Sequence, residues 1–236
     1  MTCFENKSLP NGEKMSNFKE YHTIAFDLDG TLTNPQKGLT SAFAYALKKA
    51  GVKFESIESL KKFIGPPLRD SFRDEYGISE ETADKALDYF REYFGIYGWW
   101  DNELYEGIHE LLSSLKERGK TLVLATSKPD VHSSKILKLF KLTDYFDFSE
   151  GASFDSSREK KCDVLEYALN KVGIFTDEEK SGAVLVGDTK FDIEGAKICG
   201  VDSIGVTYGY GKESELREYG ATYIASTVEG VKKLLL

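Results

Sequence analysis

Thr23-Ile24-Ala25-Phe26-Asp27-Leu28-Asp29-Gly30-Thr31-Leu32-Thr33 is the stretch that decides how the chain folds. An apolar, strand-like run feeds into two carboxylates two positions apart, followed at once by a glycine and a threonine. Successive strand side chains alternate between faces, so Asp27 and Asp29 leave the strand end on the same side. Two anions held that close repel unless positive charge lies between them. A divalent cation that prefers oxygen ligands answers that need. The plain alternative is a surface turn in which Asp caps backbone groups and Gly30 supplies positive φ. A calcium loop of the helix-loop-helix type fits worse. It wants Asp or Asn at its fifth position and Gly at its sixth, whereas Thr31 holds the fifth and Gly30 comes early.

Around that stretch, 236 residues leave room for one large α/β domain or for a core with a smaller companion. With 41% hydrophobic and 30% charged residues, the composition is that of a globular protein. A net charge of −8 disfavours a nucleic-acid polymer as partner, because phosphate backbones draw basic surfaces. No apolar run approaches the roughly 18 residues that span a bilayer, so no membrane is expected. Cys3, Cys162 and Cys199 are odd in number and far apart, which suits a reducing cytoplasm better than a disulfide framework. No CxxC pair offers a structural zinc site. Residues 1–19 lack the apolar core of a signal peptide and read as a disordered leader.

Beyond Thr33, Pro35 and Gly38 break the pattern, and residues 39–50 show helical spacing until Gly51 stops it. Further helices are expected at about 57–64, 68–76 and 80–94, with Ile64-Gly65-Pro66-Pro67-Leu68-Arg69 as a rigid loop after the first. The block 35–101 carries almost no strand signal. It reads as an all-helical domain inserted into a core made of 20–34 and 102–236, with crossings near 33–37 and 98–104. Alternation then resumes. Helices are expected at 106–118, 130–142, 161–172, 192–199, 213–219 and 228–236, and strands at 121–125, 145–148, 183–186, 203–206 and 223–224. Repeated strand–helix units predict an α/β, Rossmann-like parallel sheet covered on both faces, with the site at the carboxyl ends of its strands.

Two more strand ends carry polar, site-like residues. Thr126-Ser127-Lys128-Pro129 leads into a helix whose amino end favours an anion. Gly187-Asp188-Thr189-Lys190-Phe191-Asp192 supplies two acids four positions apart. Alone, Asp188 is a good helix cap and Asp192 a first-turn acid favoured by the dipole. Gathered with Asp27 and Asp29 at one sheet edge, four acids repel strongly without a cation.

Asp27-Leu28-Asp29-Gly30-Thr31, Thr126-Ser127-Lys128-Pro129, a lysine ahead of a helix, and Gly187-Asp188-x-x-x-Asp192 resemble, in order, the four motifs of the haloacid dehalogenase superfamily of phosphohydrolases. The resemblance covers nearly all of the chain after residue 20. The helical insertion after the first motif resembles the cap of the phosphoglycolate phosphatase-like branch, and residues 64–68 resemble its cap loop.

What the resemblance implies is a Mg²⁺-dependent phosphatase that hydrolyses a small soluble phosphomonoester through an aspartyl phosphate. Asp27 would be the nucleophile and Asp29 the acid that protonates the leaving oxygen, then the base that activates water. Thr126 would hydrogen-bond the phosphoryl oxygens and Lys161 would neutralise them, with Lys160 as the alternative lysine. Mg²⁺ would take the Asp27 carboxylate, the Asp29 carbonyl and Asp188, with Asp192 ordering waters or the lysine behind them. Gly30 and Ser127 would contact the phosphate, although Ser127 stands where asparagine is common. Arg69 is placed to meet an anionic substrate from the insertion.

The partner is then a small phosphorylated metabolite. Phosphoglycolate and nucleoside 5′-monophosphates are the two substrate classes left open, as are monomer and dimer. A phosphotransferase of the β-phosphoglucomutase kind and a non-catalytic phosphate-ligand sensor are the alternatives. Lys128 could reach substrate but beside a proline reads as surface, Trp99 and Trp100 could line the cleft but read as packing at the domain seam, and Tyr208-Gly209-Tyr210-Gly211 reads as structure, because it matches no nucleotide-binding pattern.

Overall fold

The computed structural model describes residues 18–65, 68–153, 158 and 160–236. Residues 1–17 of the expected leader, Cys3 and the Pro66-Pro67 pair lie outside them. Seven segments of the described residues become strands, and helices fill the spaces between. In chain order these are β1 (Thr23–Phe26), β2 (Thr33–Asn34), α1 (Gln36–Lys49), α2 (Leu68–Tyr76), α3 (Glu80–Tyr93), β3 (Glu103–Leu104), α4 (Ile108–Glu117), β4 (Thr121–Leu124) and α5 (Asp130–Leu139). They continue with α6 (Lys161–Lys171), α7 (Asp177–Ser181), β5 (Ala183–Gly187), α8 (Lys190–Cys199), β6 (Asp202–Val206), α9 (Glu213–Glu218), β7 (Tyr223–Ala225) and α10 (Val228–Leu235).

One parallel sheet runs in the order β4-β1-β5-β6-β7. Every residue of β1 and β5 is buried, which is why these segments are continuous apolar runs and not alternating ones. Their side chains still divide by parity between two layers. Ile24, Phe26, Leu124 and Val186 pack with Leu111, Ile136 and Val231, while Ala25, Val123 and Leu185 pack with Leu165, Leu169 and Ala196 on the other face.

Register then positions the site. Phe26 lies opposite both Leu124 and Val186, so the residues that follow these three emerge side by side. The chain leaves β1 toward one edge of the sheet and leaves β5 toward the other. Their loops part, and a crevice opens between them where such sheets bind ligands.

The insertion has its own core. Phe43, on α1, lies 5.2, 5.2 and 5.0 Å from the rings of Phe63, Phe72 and Phe90, and Leu47 and Ala83 complete the cluster. Ser79 caps α3 by accepting from the Thr82 N–H, and α3 runs on into one π-helical turn, Phe94–Gly98. The two crossings pair as an antiparallel ladder of β2 with β3. Trp99 packs against both the insertion's core and the sheet's.

Three details differ from expectation. The helix expected at 57–64 is a 3₁₀ segment, Glu58–Phe63, whose entry is closed by Ser56 and Ser59 bonding each other's backbone. The strand expected at 145–148 is a 3₁₀ turn, Thr143–Tyr145, followed by a single bridge from Phe148 to Val123. There the Asp147 side chain accepts the Leu122 N–H at 2.9 Å, taking a donor that a ladder would need. Helix α7 was not expected and is closed by a capping box of Thr176 and Glu179. Of the expected leader, Phe18 meets the Tyr223 ring edge-on and Lys19 pairs with Asp202 at 2.6 Å. Among the described residues no helix is long and apolar enough to cross a membrane.

Candidate active site

Asp27 is the first residue past β1, and its N–H still bonds the Val186 carbonyl at 2.9 Å, which carries its carboxylate into the crevice. Lys161 opens α6 on the neighbouring layer. Its ammonium sits 2.5 Å from Asp27 Oδ1, 2.9 Å from the Ala125 carbonyl and 2.7 Å from Asp192 Oδ1. Lys161 is therefore the lysine that reaches Asp27, while Lys160 stays exposed. Asp192 does two jobs. Its Oδ2 accepts from the N–H and hydroxyl of Thr189 and so closes the first turn of α8, leaving Oδ1 for the lysine.

Asp188 is not a helix cap, because Thr189 takes that place. It is fully buried, its Oδ2 accepts the Tyr210 N–H at 2.8 Å, and its Oδ1 has no hydrogen-bond partner among the described residues. Asp27, Asp188 and Asp192 each offer an oxygen within 4.8 Å of the others. All the donors are hard oxygens and one of them is bare, which fits Mg²⁺ better than a softer metal.

The electrostatics say the same. Ionised together, the four carboxylates (Asp27, Asp29, Asp188, Asp192) outnumber the ammonium groups that face them (Lys128, Lys161) and leave negative charge in excess. Burial raises the Asp27 carboxyl to about 6, Lys161 works against that rise, and the charges of Asp192 and Asp29 add to it. Burial first, and then Asp192 and Asp27, push Asp188 well above the carboxylate range. Lys161 is raised: its burial opposes the charged form, but Asp192 and Asp27 outweigh it. A divalent cation would cancel the excess.

Asp29 has a different counter-charge. Its Oδ2 is ion-paired with Lys128, while its Oδ1 is buried with no partner among the described residues. Lys128, read from sequence as surface, is only 9% exposed. Thr126 is buried at the end of β4 and its Oγ1 accepts the Lys128 N–H at 3.2 Å. Ser127 is exposed beside it. Gly30 has φ +86°, and any Cβ there would collide with the Asp188 carboxylate, so glycine is demanded twice over. Arg69 is exposed on α2 and committed to Glu80 (2.8 Å) and Asp84 (2.6 Å) on α3.

The Tyr208-Gly209-Tyr210-Gly211 stretch belongs to the site, which its residue types did not signal. Tyr210 works through its backbone, and a Cβ on Gly209 would strike both Asp188 and the Gly30 carbonyl. Tyr208 donates to the Thr31 carbonyl at 3.0 Å, which ties the loop after β6 to the loop after β1. From the insertion, Gly65 comes within reach of Thr189, and the Phe94 ring lies 4.7 Å from the Lys128 ammonium.

A sequence profile of the haloacid dehalogenase-like hydrolases matches residues 24–206, and the chain belongs to that family. A 5′-nucleotidase from Pseudomonas aeruginosa is 36% identical over 215 residues, covering 91% of this chain and 96% of the relative. A phosphoglycolate phosphatase from Pseudomonas fluorescens is 29% identical over 224 residues, covering 90% of this chain and 78% of the relative. Among solved structures, that of a predicted phosphatase from Clostridium acetobutylicum has a TM-score of 0.84 at 45% identity, covering 91% of this chain and 98% of that one.

Proposed function

We propose that this phosphoric monoester hydrolase is a Mg²⁺-dependent, cytoplasmic phosphatase of small phosphorylated metabolites that works through an aspartyl phosphate. The observation that carries the reading is a buried carboxylate, Asp27, held by an equally buried lysine next to a carboxylate oxygen with no partner. Asp27 attacks phosphorus, and the ester P–O bond breaks as Asp29 hands its proton to the leaving oxygen. Asp29, now a carboxylate, takes a proton from water. That water attacks the same phosphorus, frees Asp27 and releases inorganic phosphate. Lys161 and the Thr126 hydroxyl hold the phosphoryl oxygens while charge builds on them. Mg²⁺, held by Asp27, Asp188 and the Asp29 carbonyl, would screen the anionic nucleophile from the anionic phosphate. Residues 35–101 serve as a cap domain over this crevice. Arg69 would meet substrate only by giving up Glu80 and Asp84.

The 5′-nucleotidase relative, at 36% identity against 29%, favours nucleoside 5′-monophosphates over phosphoglycolate as the physiological class. The test is a turnover screen of the purified chain over nucleoside monophosphates, phosphoglycolate, sugar phosphates and pyrophosphate, with Mg²⁺ and with EDTA. Phosphate release that needs Mg²⁺ and vanishes in Asp27→Asn is expected. Turnover indifferent to EDTA, or an isomerised sugar phosphate in place of free phosphate, would overturn the reading.

A further inference from the structure

Lys128 is fixed along its whole length. Its N–H bonds Thr126 Oγ1 at 3.2 Å and its carbonyl accepts the Ala152 N–H at 3.0 Å. Its side chain, 6% exposed, runs to Asp29 Oδ2, and its ammonium lies 4.7 Å from the centre of the Phe94 ring. Phe94 is the first residue of the insertion's π turn, stacked on Phe90 and met at right angles by the His132 ring of α5. An exposed lysine samples many rotamers and holds a carboxylate weakly. Burial and an aromatic face remove those alternatives here.

We propose that Lys128 is a positioning residue for the phosphatase reaction. By occupying Oδ2 it leaves Oδ1 of Asp29 as the oxygen that exchanges the proton, and Phe94 makes that aim depend on how the insertion is seated. The inference rests on the reading of Asp29 as the acid–base group. A proton-transfer group that is badly aimed loses most of its advantage. The loss falls on substrates whose leaving group needs the proton.

The test compares kcat/KM, which reports the steps up to departure of the leaving group, for β-glycerophosphate and p-nitrophenyl phosphate. The first must leave as a protonated alkoxide, whereas the second leaves as a stable phenolate. Lys128→Met is expected to lower the β-glycerophosphate value about 100-fold and the p-nitrophenyl phosphate value by less than about tenfold, with Lys128→Arg recovering part of the difference. Phe94→Leu is expected to show the same selectivity in weaker form. It carries the comparison alone if Lys128→Met fails to fold by circular dichroism.

Equal losses on both substrates would make Lys128 a substrate ligand or a structural residue and would overturn the proposal. Asp29→Asn separates the two readings. If it keeps the wild-type value on β-glycerophosphate, the acid–base assignment is lost. If it is inactive while Lys128→Met behaves as wild type, only the positioning role is lost.

Discussion

As the proposed nucleophile Asp27 must stay ionised, yet it is buried among other acids, and that conflict has a measurable signature. Its carboxyl titrates at about 6 in the folded chain, above its ordinary range. The folded state therefore holds this proton more tightly than the unfolded state does. Its contribution to stability is lost as pH rises through the interval from about 4 to 6. Asp27→Asn removes the penalty. In EDTA it is expected to be more stable than wild type at pH 7 by on the order of 1–3 kcal/mol and to lose that margin near pH 4, as thermal melts would show. Asp27, Asp29 and Asp188 stood out in the sequence because they gather at the ends of apolar runs, whereas the lysine was reached only through the family resemblance, with Lys160 open beside Lys161. Lys128 did not stand out, because its partner Asp29 lies 99 positions away and a Lys-Pro pair looks solvated. Tyr210 escaped for another reason: it acts through a backbone N–H, which leaves no trace in residue type. Gly209→Ala tests that loop. By pushing Asp188 aside it should weaken Mg²⁺ binding at least about tenfold, measurable by calorimetry on a chain that still folds.

Helices and strands were legible where the local signal was complete. The apolar runs of β1 and β5 say enough alone. The segments at 57–64 and 145–148 did not, because Ser56 and Ser59 in one case, and Asp147 in the other, spend side chains on backbone groups. The insertion's helices depend on Phe43, which touches three other phenylalanines. Phe43→Ala should cost about 3–5 kcal/mol, seen as an early transition in urea followed by circular dichroism. A single unshifted transition would mean that these helices draw their stability from the sheet and not from their own core.

At the scale of the whole molecule, the parallel α/β class followed from alternation, but the strand order did not. That β1 sits between β4 and β5 is fixed by pairings across more than 90 positions, and no local pattern encodes them. The site is a product of that order: three loops meet only because Phe26, Leu124 and Val186 share a register. Among the described residues Trp99 is the one packed against both cores, with the Lys135 ammonium 5.3 Å from its ring. Trp100, the other tryptophan, is 61% exposed. Trp100→Phe would leave a single indole at the junction, so the protein carries its own optical probe. Its emission wavelength and quenching by iodide should then change when vanadate and Mg²⁺ are added together. An unchanged spectrum would mean that the junction stays still while the crevice fills.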